Sequence, residues 1–161
     1  MKRFPMTPEG KRSLEEEVKY LKEVKRHKII KDIKEARAHG DLSENSEYDD
    51  AKERQSLCEG RIKDIDAKLS LARVIDVKEN APDEGEERKV IFGCTVVLED
   101  EDENELIYKI VGVDESDVKS GKISNVSPIA KALMGKEEGD EVSFRAPRGM
   151  RTLEIIEVKY I

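Results

Sequence analysis

Tryptophan is absent, and phenylalanine and tyrosine together make up only 4% of the chain. So thin an aromatic supply argues against a single large compact core. Cysteine is nearly absent: Cys58 and Cys94 stand far apart and form no CxxC. That spacing argues against a disulfide framework or a thiolate zinc site and fits reduced thiols in a reducing compartment. The only histidines are His27 and His39, so no Ser/His/Asp set is available. Gly135-Lys136 does not follow a GxxxxGK pattern, which removes a phosphate-cradling loop. No apolar run approaches the ~20 residues that span a bilayer. Met1 to Thr7 contains no apolar signal core. The expectation is a soluble, cytoplasmic protein with no membrane partner.

Charge is what the sequence has in abundance, at 42% of its 161 residues. Its distribution is uneven. Residues 1–38 hold 12 Lys/Arg against 7 Asp/Glu, whereas residues 39–57 hold 2 against 6. Residues 76–161 hold 12 against 21, and the whole chain nets -7. A basic N-terminal segment thus leads into an acidic stretch and an acidic second half. Any phosphate contact belongs to the first segment.

Periodicity divides the chain. Thr7-Pro8 is a good helix start, with Thr as N-cap and Pro at the first helical position. Leu14, Val18, Leu21, Ile29 and Ile33 then recur at helical spacing, with a gap around Lys25 and Arg26 that predicts partial burial. Arg37 and His39 suit a helix C-terminus, and Gly40 suits the C′ position. A second stripe runs Tyr48, Ala51, Gln55, Cys58, Ile62, Ile65, Leu69, Ala72 in alternating steps of 3 and 4. Its N-cap is Ser43 or Ser46. The short polar turn between the stripes predicts an antiparallel helical hairpin over residues 1–76.

Residues 76–89 read as a linker or long loop. Beyond it, Val90–Leu98, Leu106–Val111, Val142–Ala146 and Leu153–Val158 read as strands. Ser127 caps a short helix over Pro128–Met134 that stops at Gly135. Residues 77–161 therefore form a small antiparallel α+β domain.

The turn of the hairpin, His39 to Asp50, holds five carboxylates within ten positions: Asp41, Glu44, Glu47, Asp49 and Asp50. Acidic groups at a helix start are ordinary dipole and capping features, and spacing alone does not lift them above that. Asp41 and Glu44, three apart, can nevertheless converge on one point. Magnesium takes six oxygens, commonly one or two carboxylates with phosphates and water. Two such groups are too few for a site of their own but suffice as a supplement to one in a partner.

The run Ala36-Arg37-Ala38-His39-Gly40-Asp41-Leu42-Ser43-Glu44-Asn45-Ser46-Glu47-Tyr48 resembles the signature of the Gre-type bacterial transcript cleavage factors. Cys58–Ile62 and the run Ile123 to Lys136 resemble it as well, so the likeness covers essentially the whole chain. The acidic C-terminal half matches the less basic of the family's two sister branches. The resemblance implies a coiled-coil hairpin that enters the secondary channel of RNA polymerase. It implies an FKBP-like C-terminal domain that docks at the channel rim, with Ser127, Pro128 and Ile129 as docking candidates and no prolyl isomerase activity. It implies that Asp41 and Glu44 help hold the second magnesium of the polymerase active site, so that backtracked RNA is cut near its 3′ end. Arg37, Lys52 and Arg54 become the basic residues near that RNA. The factor is then no enzyme itself. Tyr48-Asp49-Asp50 makes the tip more acidic than the family pattern, and some paralogues with altered acidic tips inhibit polymerase instead of stimulating cleavage. A channel-binding inhibitor is the alternative, and a free-standing magnesium nuclease a weaker third reading.

Overall fold

The computed structural model describes residues 2–40 and 45–161. By packing, the chain divides into two units. One is Lys11–Ala72; the other joins Arg3–Gly10 to Arg73–Ile161. The division falls after Ala72, ahead of the loop, and the N-terminal residues go with the C-terminal half. Two contacts explain this. Phe4–Met6 (β1) pairs with Ala72–Val74 (β2), and the buried Thr7 bonds to Glu115 through its backbone N–H at 3.0 Å and through its hydroxyl.

The helical unit is built from two chain segments. The first is α1 (Pro8–Tyr20, which enters this unit at Lys11), a π-helical turn at Leu21–Lys25, and α2 (Arg26–Ala38); the second is α3 (Ser46–Ser70). The π turn corrects the reading of an interrupted stripe. Eight residues separate Leu21 from Ile29, and at 100° each they would leave Ile29 about 80° off the stripe. One residue absorbed by the wider turn brings that offset to about 20°. Leu14, Val18, Leu21, Ile29, Ile33 and Ala36 are accordingly all buried. Across the seam, Ala51, Cys58, Ile62 and Ile65 are buried, while Tyr48, Gln55 and Leu69 are half-covered. The Cys58 thiol lies 4.0 Å from the Leu21 carbonyl oxygen, which also accepts the i+5 bond from Arg26 N–H. Ion pairs line both flanks of the seam. Arg61 grips Glu17 at 2.7 Å, Arg26 takes Glu59 through two bonds of 2.7 and 2.9 Å, and Lys22 meets Asp66 at 3.2 Å. Such exposed pairs are screened by solvent and contribute little, so the buried stripe carries the stability and the pairs fix register.

In the second unit, β3 (Thr95–Glu99), β4 (Glu105–Val111), β5 (Lys122–Ser124), β6 (Glu141–Ala146) and β7 (Gly149–Lys159) form one sheet in the order β5-β4-β3-β7-β6. All neighbours are antiparallel except β4 and β5, which run parallel. The sheet is thus mixed, not purely antiparallel, because β5 enters through a crossover after two short 3-10 turns. Helix α4 (Pro128–Leu133) adds Ala130 and Leu133 to a core of Val90, Val96, Leu98, Ile110, Leu153 and Ile155. The expected strand at Val90–Leu98 begins only at Thr95. Val90 instead exchanges backbone bonds with Gly135 and Lys136, and Gly93 turns the chain with a φ of +89°. Val77, in the presumed linker, is buried in this core.

Register creates an unusual row. Glu105 faces Glu99, Glu99 faces Glu154, and Glu154 faces Glu141. Four glutamates thus stand in line across four adjacent strands.

Candidate functional site at the hairpin tip

Helix α2 ends in a turn set by sequence. His39 is the C-cap, its N–H bonding to Ala36 O at 3.2 Å. Gly40 follows with a φ of +121°, which side-chain-bearing residues avoid. On the other side, α3 is capped by Asn45, in place of the Ser43 or Ser46 expected from sequence. Asn45 is extended (φ -91°), its carbonyl accepts from Asp49 N–H, and its side-chain oxygen accepts from Tyr48 N–H at 3.1 Å. Its amide nitrogen donates to Ala36 O at 2.7 Å. A serine could provide the cap but not the reach across to α2. The signal was in the sequence: Asn stands three residues before Tyr48, as an N-cap should relative to its N3 partner.

Asp41 and Glu44 lie outside the described residues. The other three tip carboxylates divide. Glu47 and Asp49 stand in the first turn of α3, where the helix dipole favours them. Asp50 turns instead to Arg54, at 3.1 Å. Asp32, Glu35, His39, Glu47, Asp50 and Arg54 border a shallow depression of about 220 Å³ on this end of the hairpin. Among the described residues, no group of three or more His, Cys, Asp or Glu is arranged to hold a metal ion.

The three basic candidates have different surroundings. The Arg37 guanidinium lies 5.8 Å from the centre of the Tyr48 ring, a cation–π contact across the tip. Lys52 donates to Gln55 at 3.0 Å. Arg54 is held by Asp32 and Asp50, and the hydrogen bond to Asp32 is the main cause raising its pKa above the ordinary guanidinium value. Much of its charge is therefore answered within the hairpin.

Ser127, Pro128 and Ile129 stand together at the start of α4. The Ser127 hydroxyl is occupied, donating to Ser124 O at 2.7 Å and accepting from Ala130 N–H. Ile129 packs against the sheet core and Pro128 is exposed. Among the described residues, no helix is long and apolar enough to cross a membrane.

Comparison with known proteins gives the family. Residues 4–74 match the N-terminal model of a transcription elongation factor, and residues 85–160 match the GreA/GreB C-terminal model. A protein of Hyphomonas neptunium described as transcription elongation factor GreA is 56% identical over 99% of both chains. One of Neisseria meningitidis, with the same description, is 52% identical over the full length of both. The solved structure of GreA factor homolog 1 of Thermus thermophilus is 26% identical, covers 98% of this chain and 99% of its own, and gives a TM-score of 0.43. The chain belongs to the GreA/GreB family of transcription elongation factors.

Proposed function

We propose that the chain rescues arrested transcription by stimulating RNA polymerase to hydrolyse its own backtracked RNA near the 3′ end. The observation that supports this most is full-length similarity, above half identity, to relatives described as GreA. The hairpin enters the secondary channel and presents Asp41 and Glu44 beside the polymerase active site. The two carboxylates act as supplementary ligands for a magnesium ion held jointly with polymerase and RNA. A magnesium ion held there would complete a two-metal site, whose chemistry is to activate the attacking water at one ion and stabilise the leaving oxygen at the other. Arg37 and Lys52 offer positive charge to the RNA phosphates, and Arg54 offers less because two aspartates already engage it. The Ser127–Ile129 segment docks at the channel rim through the exposed Pro128. The chain has no catalysis of its own, since two carboxylates supply too few of the six oxygens magnesium requires.

The test uses elongation complexes stalled in a backtracked state. Adding the protein with magnesium should release short 3′ RNA fragments and restore elongation, and RNA with magnesium but without polymerase should stay intact. Slower nucleotide addition on complexes that are not backtracked, without any cleavage, would instead mark a channel-blocking inhibitor and overturn the proposal.

A further inference from the structure

The two ends of the segment that carries Asp41 and Glu44 converge on one atom. The carbonyl oxygen of Ala36 accepts from the His39 N–H at 3.2 Å, at the exit from α2. It also accepts from the Asn45 amide nitrogen at 2.7 Å, at the entry to α3. The same Asn45 side chain accepts from Tyr48 N–H at 3.1 Å. The orientation of the amide follows from its partners, because a carbonyl can only accept and a peptide N–H can only donate. Just beside this bridge, Tyr48 supports the Arg37 guanidinium at 5.8 Å, so one turn of α3 touches the end of α2 through both a hydrogen bond and a ring contact.

We infer that Asn45 is a positioning residue for the cleavage-stimulating tip: its amide pins the end of α2 to the start of α3, the two points from which the segment bearing Asp41 and Glu44 is held. This rests on the proposed role of those two carboxylates. Capping alone does not require asparagine, because Asp and Ser cap helices about as well. Only an amide of this length both accepts from Tyr48 N–H and donates to Ala36 O. An aspartate here keeps the cap but turns a carboxylate oxygen toward a carbonyl oxygen, which drives the two helix ends apart. Ligand placement is unforgiving, since a displacement of about 1 Å costs on the order of 100-fold in rate.

The variants Asn45→Asp and Asn45→Ser therefore separate capping from bridging. Each is assayed as the full-length protein on backtracked elongation complexes at saturating concentration, next to wild type, Asp41→Ala and Glu44→Ala. Thermal midpoint and helix content are measured on the same samples. Both Asn45 variants should keep wild-type helix content and melt no more than about a few degrees lower, while losing roughly 10-fold or more of the cleavage stimulation, consistent with misplaced ligands. Half-maximal stimulation should also require more magnesium, a shift that a simple loss of stability would not produce. Asn45→Asp acting as wild type, with Asp41→Ala and Glu44→Ala impaired, would overturn the positioning role and leave the carboxylate role standing. Wild-type stimulation by Asp41→Ala and Glu44→Ala would overturn the carboxylate role, and the positioning role with it.

Discussion

The carboxylate of Glu115 occupies the place that a β-carbon on residue 10 would take. Glycine at position 10, in the second half of the first turn of α1, is what lets that carboxylate in. There it accepts from Thr7 N–H at 3.0 Å and Gly112 N–H at 3.1 Å, and from the Thr7 hydroxyl. The Thr7 hydroxyl oxygen in turn accepts from Gly10 N–H at 3.1 Å, closing the N-cap. Helix propensity alone would have Gly10→Ala stabilise by about 1 kcal/mol. Losing charge-assisted bonds at a partly buried carboxylate costs about 1–3 kcal/mol and wins. Urea unfolding of Gly10→Ala should show a net loss of stability, and a gain would contradict this account of the helix start.

The π turn makes a less intuitive prediction. If it exists to rephase the stripe, deleting Lys25 removes the extra residue and lets the helix run as regular α with Leu21 and Ile29 still on one face. Circular dichroism should show the deletion variant helical, with a melting point within a few degrees of wild type. Deleting Lys31, between the buried Ile29 and Ile33, should instead throw the lower stripe out of phase and lower the melting point sharply. Equal tolerance of both deletions would contradict the rephasing argument.

What the sequence disclosed and what it hid follow from the range of the forces involved. Local signals were readable: the Thr7-Pro8 start, the Gly40 stop, the α3 stripe and the Ser127 cap of α4 all sit within one turn of the residues they organise. The hidden features depend on remote partners. Nothing near Lys122 announces a strand, because β5 exists by pairing with β4 in parallel. Val90 left the expected strand for partners at Gly135 and Lys136. The gap of eight between Leu21 and Ile29 was visible, but it reads as weak burial until the π turn supplies the missing phase. At the tip, Asn45 caps in place of a serine because its second bond crosses to the other helix.

The glutamate row is a built-in electrostatic cost. Glu154 faces Glu99 on one side and Glu141 on the other. Like charges directly opposite destabilise a sheet by roughly 0.2–1 kcal/mol per pair. Glu154→Lys converts two repulsions into two attractions, so it should raise stability at low ionic strength, and the gain should shrink in concentrated salt. A Lys variant less stable than wild type at low salt would show that the row is relieved by contacts other than its own spacing.

Burial of Cys94 pushes its thiol up to about 11, mainly by desolvation. Cys58 is also buried, and neither forms a disulfide. Both thiols should resist a water-soluble disulfide reagent in the native state and react at once in urea. A raised thiol pKa stabilises the fold fully below the unfolded thiol's value, and that contribution is lost as pH rises from there through about 11. Cys94→Ala should flatten this alkaline loss in urea titrations, and an unchanged alkaline profile would assign the loss to other groups.

The claim on which the functional account turns is that the tip lends carboxylates to a metal site in polymerase. The most direct measurement is the initial rate of RNA cleavage by backtracked elongation complexes at saturating factor, with wild type, Asp41→Ala and Glu44→Ala. Each alanine variant should still compete with wild type for polymerase while losing on the order of 100-fold or more of the stimulated rate, as removal of a group acting on transition-state charge does. Cleavage at the wild-type rate by either variant would contradict the account.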